Sequence, residues 1–337
     1  MNKEWSLGLG TTDKCNLNCP HCYSRRSQTH TVSYDEYKNI LDKINVTSLN
    51  FGTGENGLNP DFERILDLTY ERNIPHSLTS NGYTIMQLDE EHLRRMNDLD
   101  ISLEFATEEK QSAFRGKESW KNAIGALEYC QKLGITVSIA TCLMNINCKD
   151  IVKFKDLMEK YNVFLRVNIY KPVNTNKYTL TYEEFWDAIK TIYKEFRVVS
   201  CSEPIIKAVL GIKEPESEGR CGCGKTSLRI TPYGKIVPCV YYKDSDYTID
   251  DFDKIDENSF PEMDILPDEC KDCEYATTCH GGCAGRRHYT GINKPDIYCP
   301  FIRNDKITLD YNPEDERESS EEFVHASYLC TMILGLR

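Results

Sequence analysis

The chain reads as an α/β protein built on parallel strands, and three observations predict this. From Ser6 to about Phe196, short β-rich runs alternate with helix-period stretches. Two of the stretches open on capping boxes, Ser33/Glu36 and Thr181/Glu184, whose hydroxyl and carboxylate satisfy free amides at a helix start. Gly134 stands where a helix should stop before the next strand. Six strand–helix units in series imply right-handed crossovers between parallel strands, as an open doubly wound sheet or a partial barrel.

In order, the first strand, Ser6–Thr11, leads into a cysteine loop, and the helix Asp35–Ile44 starts on the first capping box. Strand Ser48–Phe51 ends in a glycine-rich turn and is followed by helix Asp61–Arg72. Strand His76–Thr79 ends in Ser80-Asn81-Gly82, ahead of helix Asp89–Met96. Strand Asp100–Leu103 precedes helix Ser119–Leu133, which Gly134 closes. Strands Thr136–Ala140 and Leu165–Tyr170 flank helix Lys149–Lys160, and helix Tyr182–Phe196 starts on the second capping box.

Composition narrows the class. At 337 residues the chain holds one large domain and a smaller one. No apolar stretch is long enough to span a membrane, and the start Met-Asn-Lys-Glu-Trp lacks a signal-peptide core. Sixteen cysteines without an export signal point to metal binding in a reducing compartment, the cytoplasm. A net charge of −12 argues against nucleic acid as a partner, since phosphate contacts need a basic face.

The cysteine loop is Cys15-Asn-Leu-Asn-Cys19-Pro-His-Cys22. Its spacing lets one short segment bring three thiolates around a single metal site. A four-iron cluster takes one thiolate per iron, so three leave one iron open to something that is not protein. An open coordination position is a catalytic arrangement, as in zinc enzymes. The alternative is a zinc knuckle or a disulfide loop, with His21 or His30 as a fourth zinc ligand.

The loop resembles the CxxxCxΦC signature of the radical S-adenosylmethionine (SAM) superfamily, with His21 at the Φ position. The resemblance selects a partial (β/α)6 barrel, with functional groups at the C-terminal ends of the strands. It implies a [4Fe–4S] cluster on Cys15, Cys19 and Cys22 whose open iron binds SAM. Reductive cleavage of SAM would give a 5′-deoxyadenosyl radical that abstracts hydrogen from substrate, with a flavodoxin- or ferredoxin-type electron donor. Gly52-Thr53-Gly54-Glu55 is similar to the family's GGE motif, which holds the SAM amino group, with Thr53 replacing the first glycine. Ser102 and Glu104 resemble a Ser-x-Asp that contacts SAM, with Glu104 in place of Asp. Arg115 resembles an arginine that pairs with the SAM carboxylate, a match of planar fork to planar acid. His21, Gly54, Glu55, Ser102, Glu104 and Arg115 are thus the expected SAM-binding set, and no catalytic acid or base is assigned. Asn145 and Asn147 beyond the fifth strand either reach the ribose or serve as turn residues.

The last third carries Cys221, then Cys223-x10-Gly234-x4-Cys239, Cys270-x2-Cys273-x5-Cys279-x3-Cys283, and Cys299. Eight thiolates suffice for two four-cysteine sites, either iron–sulfur clusters or structural zincs, and zinc cannot carry the single electrons the open cluster needs. The spacing resembles, gap for gap, the seven-cysteine SPASM extension of radical SAM enzymes. That resemblance puts Cys221, Cys223, Cys239 and Cys283 on one auxiliary [4Fe–4S] cluster and Cys270, Cys273, Cys279 and Cys299 on another, for three clusters in all. Cys130, Cys142, Cys148, Cys201 and Cys330 lack motif spacing and read as buried small apolar residues. The expected division is a barrel over 1–200, a linker over 201–219 and a SPASM domain over 220–305. An acidic connector and a C-terminal helix (Phe323–Leu336) then fill 306–337.

SPASM enzymes modify peptides or protein side chains, so the resemblance implies a maturase acting on a ribosomally made precursor peptide, giving a crosslinked, epimerised or rearranged product. A first strand starting by Ser6 leaves no room for a leader-binding domain, so a separate leader-binding protein is expected to present the peptide. The alternatives are formylglycine formation as in anaerobic sulfatase maturases, dehydrogenation of a small metabolite, and a non-enzymatic electron carrier. Formylglycine formation typically uses an acid just after the cysteine of the Gly-x4-Cys element, where this chain has Val240-Tyr241-Tyr242.

Overall fold

The computed structural model describes residues 3–24, 29–212, 221–317 and 331–337. Six strands run parallel and pair in chain order: β1 (Glu4–Leu9), β2 (Asn45–Phe51), β3 (His76–Ser80), β4 (Asp98–Ser102), β5 (Ser138–Leu143) and β6 (Phe164–Ile169). Every expected strand and helix of this region is present with ends shifted by a few residues. Both capping boxes form, and Gly134 closes its helix at φ 66°. Two short helices, Tyr83–Gln87 and Glu108–Arg115, escape the sequence reading, because one or two turns barely display a 3.6-residue period.

Chain from beyond the six units completes the sheet at both edges. β7 (Arg197–Cys201), β8 (Ser227–Ile230), β9 (Ile236–Val237) and β10 (Thr331–Gly335) join it. β8 lies parallel to β1 and carries β9 on its outer side, while β10 slots antiparallel between β6 and β7. The expected linker is corrected at its start: Cys201 ends β7, and Pro204–Val209 is a helix burying Ile205, Ile206 and Ala208. Its proline sits in the first turn, where the missing amide has no partner to lose. Residues 213–219 of that linker lie outside the described residues. The expected C-terminal helix is a buried strand at Thr331–Gly335, and its earlier part also lies outside the described residues. A short continuous apolar run such as Met332-Ile-Leu334 suits either a buried helix or a buried strand, so the pattern alone could not decide.

The two-residue period of the strands creates the site. Leu7, Leu9, Leu49, Phe51, Ile101, Ile139 and Val167 face the helices and join the main core. Each such side chain contributes roughly 1.5–3 kcal/mol by leaving water. Ser6, Gly8, Asn50, Thr79, Asp100, Ala140 and Asn168 line the concave face, where small and polar side chains leave space unfilled. Among the described residues no helix is long and apolar enough to cross a membrane.

Candidate functional site

A cavity of about 370 Å³ lies at the C-terminal ends of the parallel strands. Cys15, Cys19 and Cys22 line it together with all six expected SAM-binding residues, His21, Gly54, Glu55, Ser102, Glu104 and Arg115. Burial, with Glu55 and the other two cysteines as negative neighbours, pushes the Cys15 thiol up to about 11. Burial likewise raises Cys19, against the pull of Arg115. Among the described residues no three His, Cys, Asp or Glu side chains gather as ligands of a single ion. The donor set still fits a cationic iron–sulfur group, which would relieve the mutual repulsion of three thiolates on one cavity wall.

The turn after β2 is laid against the base of the cysteine loop. Gly54 has φ 63°, and a Cβ there would stand 2.3 Å from Thr12 O and 2.6 Å from Lys14 O. Glu55 N donates to Lys14 O at 2.8 Å. Gly54→Ala is therefore expected to push the cysteine loop away, weakening SAM binding more than tenfold and destabilising the fold by about 1–3 kcal/mol. Equilibrium dialysis and thermal unfolding would check this, and unchanged values in both would refute the close packing.

The Glu55 carboxylate is buried and already engaged by the turn after β3. Oε1 accepts from Ser80 Oγ, Thr84 Oγ1 and Thr84 N, and Oε2 accepts from Asn81 N at 2.9 Å. Only Oε2 retains much acceptor capacity for a ligand amine. The same turn reaches the cysteine loop, where Asn81 Nδ2 donates to Asn16 Oδ1 at 2.7 Å and lies 3.7 Å from Cys15 Sγ.

Glu104, at the end of β4, joins His21 to Arg115. His21 Nε2 stands 3.0 Å from its Oε1 and Arg115 Nη1 2.9 Å from its Oε2. Burial alone would raise the carboxyl, but Arg115 and His21 outweigh it and hold it at about 2. Arg115 Nε also donates to Cys19 Sγ at 3.2 Å. Burial would lower the arginine, and Glu104 and Cys19 raise it instead. With both carboxylate oxygens engaged, Glu104 orients the cysteine loop and Arg115, and a ligand carboxylate would find only the unengaged part of the guanidinium.

Some contributors carry no motif. Buried Gln111 accepts from the amides of Glu104 and Phe105 at 3.0 and 3.1 Å, and Phe114 stacks on His21 at 5.1 Å. Both belong to the short helix that the periodicity missed. Tyr170, Lys171 and Tyr241 also line the cavity, and only the position of Tyr241 just after Cys239 could have flagged one of them. Asn147 is a turn residue, accepting from Met144 N at 2.7 Å and donating to Glu104 O and Cys142 O. Asn145 is one too, donating to Lys177 O at 3.0 Å.

The eight cysteines of the last third fall into two spatial groups. Cys223 hydrogen-bonds Cys221 and Cys239, which with burial raises it, and Cys239 feels the charge of Cys283. Burial raises Cys279, with Cys299, Cys270 and Cys273 as charged neighbours. A buried chain of alternating charge ties both groups to the barrel: Lys171 to Glu203 at 3.4 Å, Glu203 to Arg286 at 3.1 Å, and Arg286 to Asp296 at 2.6 Å. Asp296 Oδ2 in turn accepts from Cys283 N at 3.1 Å. Of the other cysteines, Cys130, Cys148 and Cys201 are buried, Cys142 is half-buried on the cavity wall, and Cys330 lies outside the described residues.

A parallel partial barrel whose open end collects three loop cysteines and the strand-end turns defines a class, the radical SAM enzymes. Residues 9–158 match the radical SAM superfamily, and this part of the chain is a radical SAM domain. The chain is 24% identical over 330 residues to the mycofactocin maturase MftC of Mycolicibacterium smegmatis, covering 88% of this chain and 81% of that one. Its fold is similar to that of Streptococcus suis SuiB bound to S-adenosylmethionine, with TM-score 0.69, 16% identity, and coverage of 88% of this chain and 77% of that one. It is also similar to anSMEcpe with bound AdoMet and the Cp18Cys peptide, with TM-score 0.69, 19% identity, and coverage of 89% and 95%.

Proposed function

We propose that the protein is a SPASM-type maturase that abstracts hydrogen from a residue of a ribosomally made precursor peptide. The observation that carries this is a second cavity of about 210 Å³ on the concave face. Cys223 and Cys239 line it, and it shares Tyr23, Thr53, Thr79 and Tyr241 as wall residues with the first cavity. A substrate side chain placed there stands between the SAM cavity and one of the two cysteine groups. Among the relatives, MftC is named a maturase, and SuiB has been seen bound to the precursor peptide SuiA.

Cys15, Cys19 and Cys22 would hold a [4Fe–4S] cluster, which would supply the single electron for cleavage of SAM. Gly54 and Glu55 would hold the SAM amino group, with Ser102 beside it and the unengaged part of Arg115 toward the carboxylate. Tyr23 and Tyr241, with ring centroids 5.3 Å apart, form a wall that shields the reacting centre from water. Cys221, Cys223, Cys239 and Cys283 would hold one auxiliary cluster and Cys270, Cys273, Cys279 and Cys299 the other. Two fully ligated clusters leave no iron for the peptide, which favours electron transfer as their role. The remaining partners in this reading are a flavodoxin- or ferredoxin-type donor and a separate leader-binding protein, in the cytoplasm.

Dithionite-reduced protein given SAM should release 5′-deoxyadenosine, and a peptide encoded beside the gene should gain a mass shift. The reconstituted protein should bind about twelve irons, one four-iron cluster for each set of cysteines. Cys279→Ala should leave SAM cleavage largely intact and impair product formation. Zinc in place of the C-terminal iron would make that segment structural.

A further inference from the structure

Two glycines, Gly8 in β1 and Gly10 just beyond its end, let a side chain from the cysteine-rich segment cross to the SAM cavity. Gly8 of β1 is the register partner of Arg229 on β8, and a Cβ at Gly8 would stand 2.9 Å from Arg229 Nη1. The 6% exposed Arg229 thereby reaches over β1 to the turn after β2. There its Nη2 donates to Gly52 O at 2.6 Å and to Thr53 Oγ1. Gly10 makes room at the far end, since a Cβ there would stand 3.0 Å from Thr53 Cβ. Tyr23, the neighbour of Cys22, also hydrogen-bonds Thr53.

The residue so gripped is strained. Thr53 has φ 83°, a left-handed conformation that a β-branched residue avoids. It precedes Gly54, whose own left-handed shape lays the turn against the cysteine loop. A glycine at position 53 would take this shape unaided, whereas threonine needs the turn held from outside. The hold comes from β8, and β8 is placed by the cysteines around it: Cys223 bridges to Ser227, and the β8–β9 hairpin leads directly into Cys239.

We propose that Arg229 is a positioning residue that makes SAM binding conditional on the folded cysteine-rich segment. With the segment in place, the clamp keeps Thr53 left-handed and the turn closed on the cavity. With the segment unfolded, Thr53 relaxes and the turn opens, so SAM cleavage is withheld until the part that handles the substrate radical is assembled. The proposal rests on the reading that this turn holds SAM.

The test is equilibrium binding of SAM to the anaerobically iron-loaded full chain. Arg229→Met should bind SAM about tenfold more weakly than the unmodified protein, the scale set by the strain of one left-handed residue. With Thr53→Gly as the background, adding Arg229→Met should change SAM binding by no more than about threefold. A merely structural arginine would cost as much in either background. Should Arg229→Met fail to fold, Gly8→Ala displaces the same guanidinium and should show the same loss and the same dependence on Thr53. Full binding by Arg229→Met or Gly8→Ala, or a loss as large in the Thr53→Gly background, would overturn the clamp. Failure of the unmodified loaded protein to bind SAM would instead overturn the reading of the cavity.

Discussion

Replacing Cys15, Cys19 and Cys22 together by alanine should abolish 5′-deoxyadenosine formation and leave the C-terminal iron bound. The three thiols occupy one wall of the first cavity, on a single loop, next to the turn built around Gly54. Cys142 lines the same cavity but comes from β5, and one thiol cannot hold a four-iron group. Iron content should fall from about twelve to about eight per chain, one cluster's worth. The fold should survive, because the hydrophobic core lies on the opposite face of the strands. Iron analysis and chromatography of the nucleoside product read the two effects separately. SAM cleavage that persisted in the triple variant would refute the assignment, and loss of all the iron would show that the loop is needed to fold the second segment.

The parallel fold, and the residues that it gathers around the first cavity, were legible in the sequence for a physical reason. Parallel strands packed against helices carry an alternation that shows in the chain, and the three cysteines of the first cavity stand at fixed spacings on one loop. What the sequence concealed is how the site residues are employed. Glu104 and Arg115 read as ligand contacts, and the structure shows them engaged with each other, with His21 and with Cys19. That pairing depends on a short helix, Glu108–Arg115, with too few turns to display a period. The Arg229–Thr53 contact joins residues 176 positions apart, and no local pattern encodes it. The strand at Thr331–Gly335 was hidden because a run buried on both faces has lost the alternation that marks a half-buried strand.

Arg115→Leu should destabilise the protein by about 3–5 kcal/mol at pH 7, the cost of leaving one partner of a buried ion pair alone. The partner left behind is Glu104, 4% exposed and then supported by His21 only. In the unmodified chain the Glu104 carboxyl is depressed to about 2, so its stabilising contribution is complete above the ordinary carboxylate range and is lost only as pH falls through about 2. Between pH 5 and 8 this pair therefore gives the unmodified protein a flat stability profile. In Arg115→Leu, burial becomes the dominant influence on the carboxyl and drives it upward. The stability deficit should shrink as pH is lowered toward 5, because the stranded acid takes up a proton. Adding Glu104→Gln should recover part of the loss at pH 7, since the amide keeps the shape and removes the uncompensated charge. Denaturant unfolding at pH 5 and pH 7 would measure all of these, and SAM affinity should stay low in the double variant, because Arg115 is still missing. A deficit independent of pH, or a double variant less stable than Arg115→Leu alone, would show that the arginine acts mainly through Cys19 and the cavity wall.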